Sequence, residues 1–168
     1  EAAHALVTYE ADLALVVSLP RDNRLATLAV SDEPVRALMA SHHPLATATG
    51  LRLSDCLAYP LILPDPSLGT RELIDRVLGD RRRYANIAAE TNSFELMRGL
   101  LRNGDGIGFQ VAIGAPASSG GEGLVTRALS GGDASTASLV CAQLRGRHLS
   151  VAAARFADHL GERVEHRG

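Results

Sequence analysis

The stretch Thr91-Asn92-Ser93-Phe94-Glu95-Leu96-Met97-Arg98-Gly99-Leu100-Leu101-Arg102-Asn103-Gly104-Asp105-Gly106-Ile107-Gly108-Phe109 decides the fold. Asn92 or Ser93 stands where a side-chain oxygen caps a helix. Phe94, Met97, Leu100 and Leu101 then recur at the spacing that puts apolar residues on one helical face. Asn103-Gly104 stops that helix, and Gly106 to Phe109 follows as a compact strand or turn. Just upstream, Asn86 to Glu90 reads as a strand. Strand, capped helix and glycine-flanked strand in succession are the signature of α/β architecture.

The same alternation extends outward. Tyr59 to Leu63 is a short buried strand ending at Pro64, and Leu51 to Leu57 a short helical turn. Gly69 to Leu78 carries Leu73, Ile74, Val77 and Leu78 at amphipathic spacing and ends against Gly79. Leu25 to Ala40 is extended but broken by Asp32-Glu33-Pro34. In His42-His43-Pro44 the proline steers the backbone before it away from helix. Residues 1–11 read as the end of a helix feeding the strand Asp12 to Val17. No earlier strand is available to pair with it, so the chain is expected to begin inside a domain. Downstream, 115–132 is loop around a strand at Leu124 to Ala128, with Ser118-Ser119-Gly120-Gly121 its most flexible part. Ser138 to Leu144 is the last strand. Ser150 caps a final helix with Ala153, Ala157, Leu160 and Val164 on one face. The pattern predicts mainly parallel strand pairing.

Composition narrows the function classes. With 168 residues, 46% hydrophobic and 21% charged, the chain has the profile of a globular protein. Its longest apolar run, Leu13 to Val17, falls far short of the roughly 20 residues of a membrane span. The opening Glu1-Ala2-Ala3-His4 lacks the basic flank and apolar core of an export signal. A cytoplasmic protein without membrane contact is expected. The net charge of −2 gives no electrostatic case for nucleic acid, and Arg81-Arg82-Arg83 reads as a solvated helix end. Cys56 and Cys141 have no ligand-like spacing and are expected to be buried thiols.

Recognised catalytic patterns are missing. There is no phosphate-binding P-loop, and Phe109 and Val111 occupy the positions a dinucleotide fingerprint would need as glycine. There is no H-E-x-x-H, C-x-x-C or G-x-S-x-G. No cofactor and no metal are expected, His42 and His43 read as loop residues, and the chain is not read as an enzyme. The suggestive constellation is Pro64-Asp65-Pro66-Ser67-Leu68-Gly69-Thr70-Arg71, where a strand end meets a helix start. Free N–H groups and the positive end of the helix dipole favour a small anion there. Gly69 allows close approach, Ser67 and Thr70 add hydroxyls, and Arg71 adds charge if it faces inward. The plainer alternative is a proline-stiffened loop with Ser67 or Thr70 as helix cap.

Asp12-Leu13-Ala14-Leu15, His43-Pro44-Leu45-Ala46, Asn92 to Arg98, Gly104 to Phe109 and Leu149-Ser150 occur in an order that resembles the effector-binding domain of LysR-type transcriptional regulators. Glu33 to Met39 with His43 to Ala46 looks like that family's first crossover. Leu61 to Pro64 with Ser67 to Arg71 looks like its second-lobe strand and helix start, and Leu144 to Leu160 like its return strand and closing helix. The resemblance implies two α/β lobes like those of type II periplasmic binding proteins, crossed twice by the chain. The first lobe, 1–39 and 135–168, would be partial at its N-terminus, and 40–134 would form the second. It further implies a small effector in the interlobe cleft, which the helix start at Ser67 to Arg71 makes an anion, met by Val17 and Ser18 from the first lobe. Pro64, Pro66, Ser67, Gly69, Thr70, Gly108 and Phe109 would meet it from the second, Phe109 as an apolar wall. DNA binding would belong to a winged helix-turn-helix absent from this sequence, and self-association is expected. Two departures stand out: the first strand and helix of the first lobe are absent, and Gln110 replaces a frequent proline. A solute-binding protein or small enzyme of the same fold is the alternative, because fold alone does not fix function.

Overall fold

Strand and helix alternate along the chain in the computed structural model, which describes residues 2–17, 19, 21–114 and 123–165. Ser18 and the segment Ser118 to Gly121 lie outside the described residues, as does the side chain of Val164. The elements are α1 (Ala2–Val7), β1 (Ala14–Val17), β2 (Leu25–Ala40), α2 (Leu53–Cys56), β3 (Leu61–Pro64), α3 (Gly69–Leu78) and β4 (Ile87–Thr91). They continue as α4 (Phe94–Arg102), β5 (Ile107–Val111), β6 (Leu124–Ala128), β7 (Thr136–Leu144) and α5 (Val151–Glu165). Residue contacts divide the chain into two units, Glu1–Asp32 with Ala137–Gly168, and Glu33–Thr136.

In the first unit β1 runs antiparallel to β7, with Ala14 opposite Ala142 and Val17 opposite Leu139. The first half of β2 lies on the other side of β7. Leu6 of α1 packs with Ala14, Leu25, Val140 and Ala142 into a small core. The turn after β7 is pinned by arginines: Arg145 donates to the carbonyls of Asn23 and Leu25, and Arg147 to that of Ala11. Ser150 caps α5 by accepting from the Ala153 N–H. Among the described side chains of that helix Ala157 is buried, while Ala153 and Leu160 are half-buried.

The second unit holds the strand order β6-β2-β5-β3-β4. β3 pairs in parallel with β4 and β5, whereas β2 pairs antiparallel with β5 and β6. The sheets are therefore mixed and not mainly parallel. Alternating strands and helices predict parallel pairing only where a helix crosses over. β2, β6 and β7 are reached without one and can run the other way. The crossovers β3–α3–β4 and β4–α4–β5 travel in opposite directions along the sheet. Parallel crossovers are right-handed as a rule, and two that travel in opposite directions put their helices on opposite faces. Beneath α4, Met97 and Leu101 pack on Leu38, Ile62 and Leu124. The predicted face of that helix needs one correction: Leu100 is 39% exposed, and Phe94 is only partly buried against the cluster. One buried row, Met97 with Leu101, is what this nine-residue helix lays on the sheet.

One more expectation changes. Asp32-Glu33-Pro34 does not break β2, which runs through as sixteen residues. Pro34 is exposed, and an outward proline is tolerated in an extended strand. Val35 to Ala40 form ladders with β5 and β6 and lie in the second unit, which begins at Glu33. Burial records the same transition, since β2 is largely exposed up to Asp32 and buried from Ala37 to Ala40.

Candidate functional site

The segment from Pro64 to Arg71 does join a strand end to a helix start, and α3 begins at Gly69 as the sequence suggested. Neither Ser67 nor Thr70 caps it: Leu68 holds the N-cap position and no side chain caps the helix. Asp65 organises the loop instead. Its backbone N–H donates to the Thr91 carbonyl, its own carbonyl accepts from Leu68 N–H, and its carboxylate accepts from Ser67 N–H at 2.8 Å. Hydrogen bonds from the Ser67 N–H and hydroxyl hold the Asp65 carboxyl below its ordinary pKa. An ionised carboxylate thus sits beside the positive end of α3, where it is favourable.

Arg71 faces inward, but its charge is taken. Only 2% of its side chain is exposed. Nη1 donates to the Pro64 carbonyl at 2.6 Å, Nη2 to Glu90 Oε1 at 2.6 Å, and Nε to Asp75 Oδ1 at 3.1 Å. Arg82 reaches the same Asp75 oxygen at 3.2 Å. Burial disfavours the Arg71 cation, but the bonds to Asp75 and Glu90 outweigh it and raise the pKa. The charge that Arg71 could add to an anion site is therefore spent on an internal tie. Thr70 is different: its Oγ1 is buried and has no hydrogen-bond partner among the described residues. Pro64 is buried, whereas Pro66, Ser67 and Gly69 are exposed.

Gly108 and Phe109 lie on β5, with Gly108 opposite Ile62 of β3. Both are buried, Phe109 being 1% exposed. The glycine is required by packing. A Cβ there would stand 3.0 Å from Leu101 Cδ1 and 3.2 Å from the Ile62 carbonyl oxygen, and backbone cannot yield as a side chain tip can. The second unit thus brings Pro64, Pro66, Ser67, Gly69 and Thr70 into one loop, with Gly108 and Phe109 on the strand beside β3. Val17 belongs to the first unit, half-buried at the end of β1.

Sequence reasoning missed two tertiary ties in the second unit. His43 is buried at 2% exposure. Its Nδ1 accepts from Leu45 N–H, its Nε2 lies 3.2 Å from the Asp105 carbonyl, and its ring stands edge-on to Tyr59. Asp133 accepts from Leu53 N–H at 2.8 Å and from Arg81 at 2.7 Å, tying the start of α2 and the arginine run to a distant turn. Those two bonds hold its pKa down, the backbone one more strongly. No spacing in the sequence signals a partner 80 residues away. Arg81, Arg82 and Arg83 lie exposed in a 3-10 turn, Gly79–Tyr84, that follows α3. Cys56 and Cys141 are free and buried, and burial pushes the Cys56 thiol up to about 12. A group of three residues able to hold a metal does not occur among the described residues.

The family model of the LysR substrate binding domain matches residues 1–165. Among solved structures, HinK, a LysR family transcriptional regulator from Pseudomonas aeruginosa, superposes with a TM-score of 0.79 at 24% identity. That match covers 96% of this chain and 56% of HinK, so the chain spans little more than half of that regulator. The effector binding domain of QuiR in complex with shikimate matches with a TM-score of 0.79 at 20% identity, covering 97% of this chain and 76% of that one. The regulatory domain of CcmR from Synechocystis PCC6803, in complex with 2-PG, matches at 0.75 and 22%, covering 96% and 77%. No curated protein sequence matches the chain.

Proposed function

The chain belongs to the LysR substrate-binding domain family, and from that premise we propose that it is the ligand-sensing module of a transcriptional regulator. In this reading it binds a small anionic metabolite and thereby controls DNA binding by a helix-turn-helix domain outside the sequence. It acts as a cytoplasmic sensor and not as an enzyme, and it needs no cofactor. The described residues hold no helix long and apolar enough to cross a membrane. The two units correspond in this reading to the family's two lobes.

The observation that carries the site is the loop from Pro64 to Thr70. It leaves the carboxyl end of a parallel strand, the edge at which open α/β sheets take ligands. Its chemistry is that of hydroxyl and amide donors around Thr70, because the Arg71 charge is spent on Asp75 and Glu90. Gly108 and Phe109 support the floor behind it from within the core. Val17 and Ser18 are proposed as the first unit's contribution. Sensing requires that the ligand favour one arrangement of the protein over another, since equal affinity shifts nothing.

Calorimetric titration with small organic acids, beginning with shikimate and 2-PG, tests the proposal. At least one acid is expected to bind, and Ser67→Ala or Thr70→Ala to weaken it about tenfold, the loss of roughly one hydrogen bond to a charged group. If the binders are all neutral or cationic, or if both substitutions leave affinity unchanged, the loop is not the site.

A further inference from the structure

Arg71 spans more of the second unit than any packing role requires. One guanidinium holds the carbonyl of the last β3 residue, a carboxylate on α3 and a carboxylate on β4. These acceptors lie on the strand before the loop 65–70, the helix after it and the neighbouring strand, and the loop's own N–H at Asp65 is bonded to the Thr91 carbonyl of β4. Loop and strand are thus fastened at adjacent points, Glu90 and Thr91. The ties differ in exposure: Arg71 is 2% exposed, while Glu90 and Asp75 are 38% and 32% exposed. The carboxylates keep water, and the guanidinium gives up nearly all of it. A cation this well enclosed is not available to an incoming ligand, yet it fixes the backbone on both sides of Thr70.

We propose that Arg71 is the positioning residue of the β3–α3 loop: its planar fork fixes the loop against β4, so that Thr70 and the neighbouring amides meet the ligand already in place, and its charge does not pair with the ligand. The proposal rests on the reading of this loop as the ligand site. It assigns selectivity as well. Arg71 is bonded to Asp75 and Glu90, Arg82 shares Asp75, and the Asp65 carboxylate already takes the Ser67 N–H, so neither guanidinium is left over to meet a ligand's charge. A compact, multiply charged anion is therefore disfavoured, and a hydroxyl-bearing monocarboxylate is preferred. Geometry matters more than charge, because three acceptors in different directions match a fork with several fixed donors. An ammonium offers a single point charge in its place.

Amide hydrogen exchange on the domain, paired with titration of shikimate against inorganic phosphate, tests this. Arg71→Met and Arg71→Lys are both expected to speed exchange at Asp65, whose N–H donates to Thr91, and at 67–70 at least tenfold, with α4, β5 and β6 unchanged. Both are expected to weaken shikimate at least fivefold while the thermal midpoint of Arg71→Lys stays near wild type. Glu90→Gln, which keeps an acceptor in place on an exposed side chain, covers the case in which Arg71→Met fails to fold. It is expected to speed exchange in the same segment by a smaller factor. Wild type should bind shikimate at least tenfold more tightly than phosphate. Unchanged exchange at 65–70 in Arg71→Lys and Glu90→Gln overturns the positioning role, as does wild-type shikimate affinity in Arg71→Lys. Phosphate binding as tightly as shikimate overturns the selectivity. Faster local exchange in a protein that binds no small acid at all refutes the loop as ligand site, the reading on which the proposal rests.

Discussion

His43 shows how a residue of ordinary appearance acquires a structural task. Its imidazole is enclosed by the turn that contains it, the Asp105 turn and Tyr59. The Leu45 N–H donates to Nδ1, so the neutral ring carries its proton on Nε2 and gives it to the Asp105 carbonyl. Protonating Nδ1 removes the acceptor that Leu45 needs. Burial lowers the pKa, against partial opposition from the bond to Asp105 and its charge; His42 adds to the lowering. The folded pKa therefore lies below the unfolded value near 6.5. The resulting stability is fully present above 6.5 and is lost as pH falls from there through the folded pKa. Thermal unfolding between pH 7.5 and 5 should show a declining midpoint whose slope is reduced in His43→Gln. Equal slopes would mean that other groups carry the acid sensitivity. The sequence identified the turn at His42-His43-Pro44 but not the burial, because nothing local marks Asp105 and Tyr59 as neighbours.

At the scale of elements, local signals located the helices well. Ser93 accepts from Leu96 N–H at 3.2 Å and begins α4 as expected, and Gly79, at φ +52°, ends α3. These features were legible because a cap or a left-handed residue acts within one turn of chain. Ser93→Ala should cost about 1 kcal/mol in urea unfolding, the usual loss for a helix cap. A cost near zero would mean that packing of Met97 and Leu101 alone fixes the start of the helix. Strand pairing was less legible. β2 shows neither clean alternation nor a break, because it is exposed along its first half and interior along its second. One periodicity cannot describe a strand whose two halves lie in different environments. The loop 64–71 is legible as a strand-to-helix connection, but its electrostatics are not: Arg71 and Asp65 both point to charge at a helix start, and only their partners show which charge is spent and which remains.

For the molecule as a whole, self-association is the expected behaviour. The first unit exposes apolar side chains, among them Leu15 of β1 at 50%, Val30 of β2 at 50% and Phe156 of α5 at 60%. Apolar surface of this kind is favourably covered by another protein surface. Sedimentation equilibrium across a hundredfold range of concentration should reveal dimers or larger species, and a monomer throughout would count against it. Sequence by itself determined the α/β class, the order and extent of most helices, and the absence of familiar catalytic motifs. All of these depend on periodicity, caps and residue spacing that act within a few residues. Tertiary structure alone decided the mixed sense of the sheets, the passage of β2 from one unit to the next and the burial of His43. It also decided that Arg71 is a tie and not a receptor. Each depends on residues far apart in the chain, such as Asp105 with His43 or Glu90 with Arg71. The energy of a buried polar group is set by the partners that replace its water, and no local pattern names those partners.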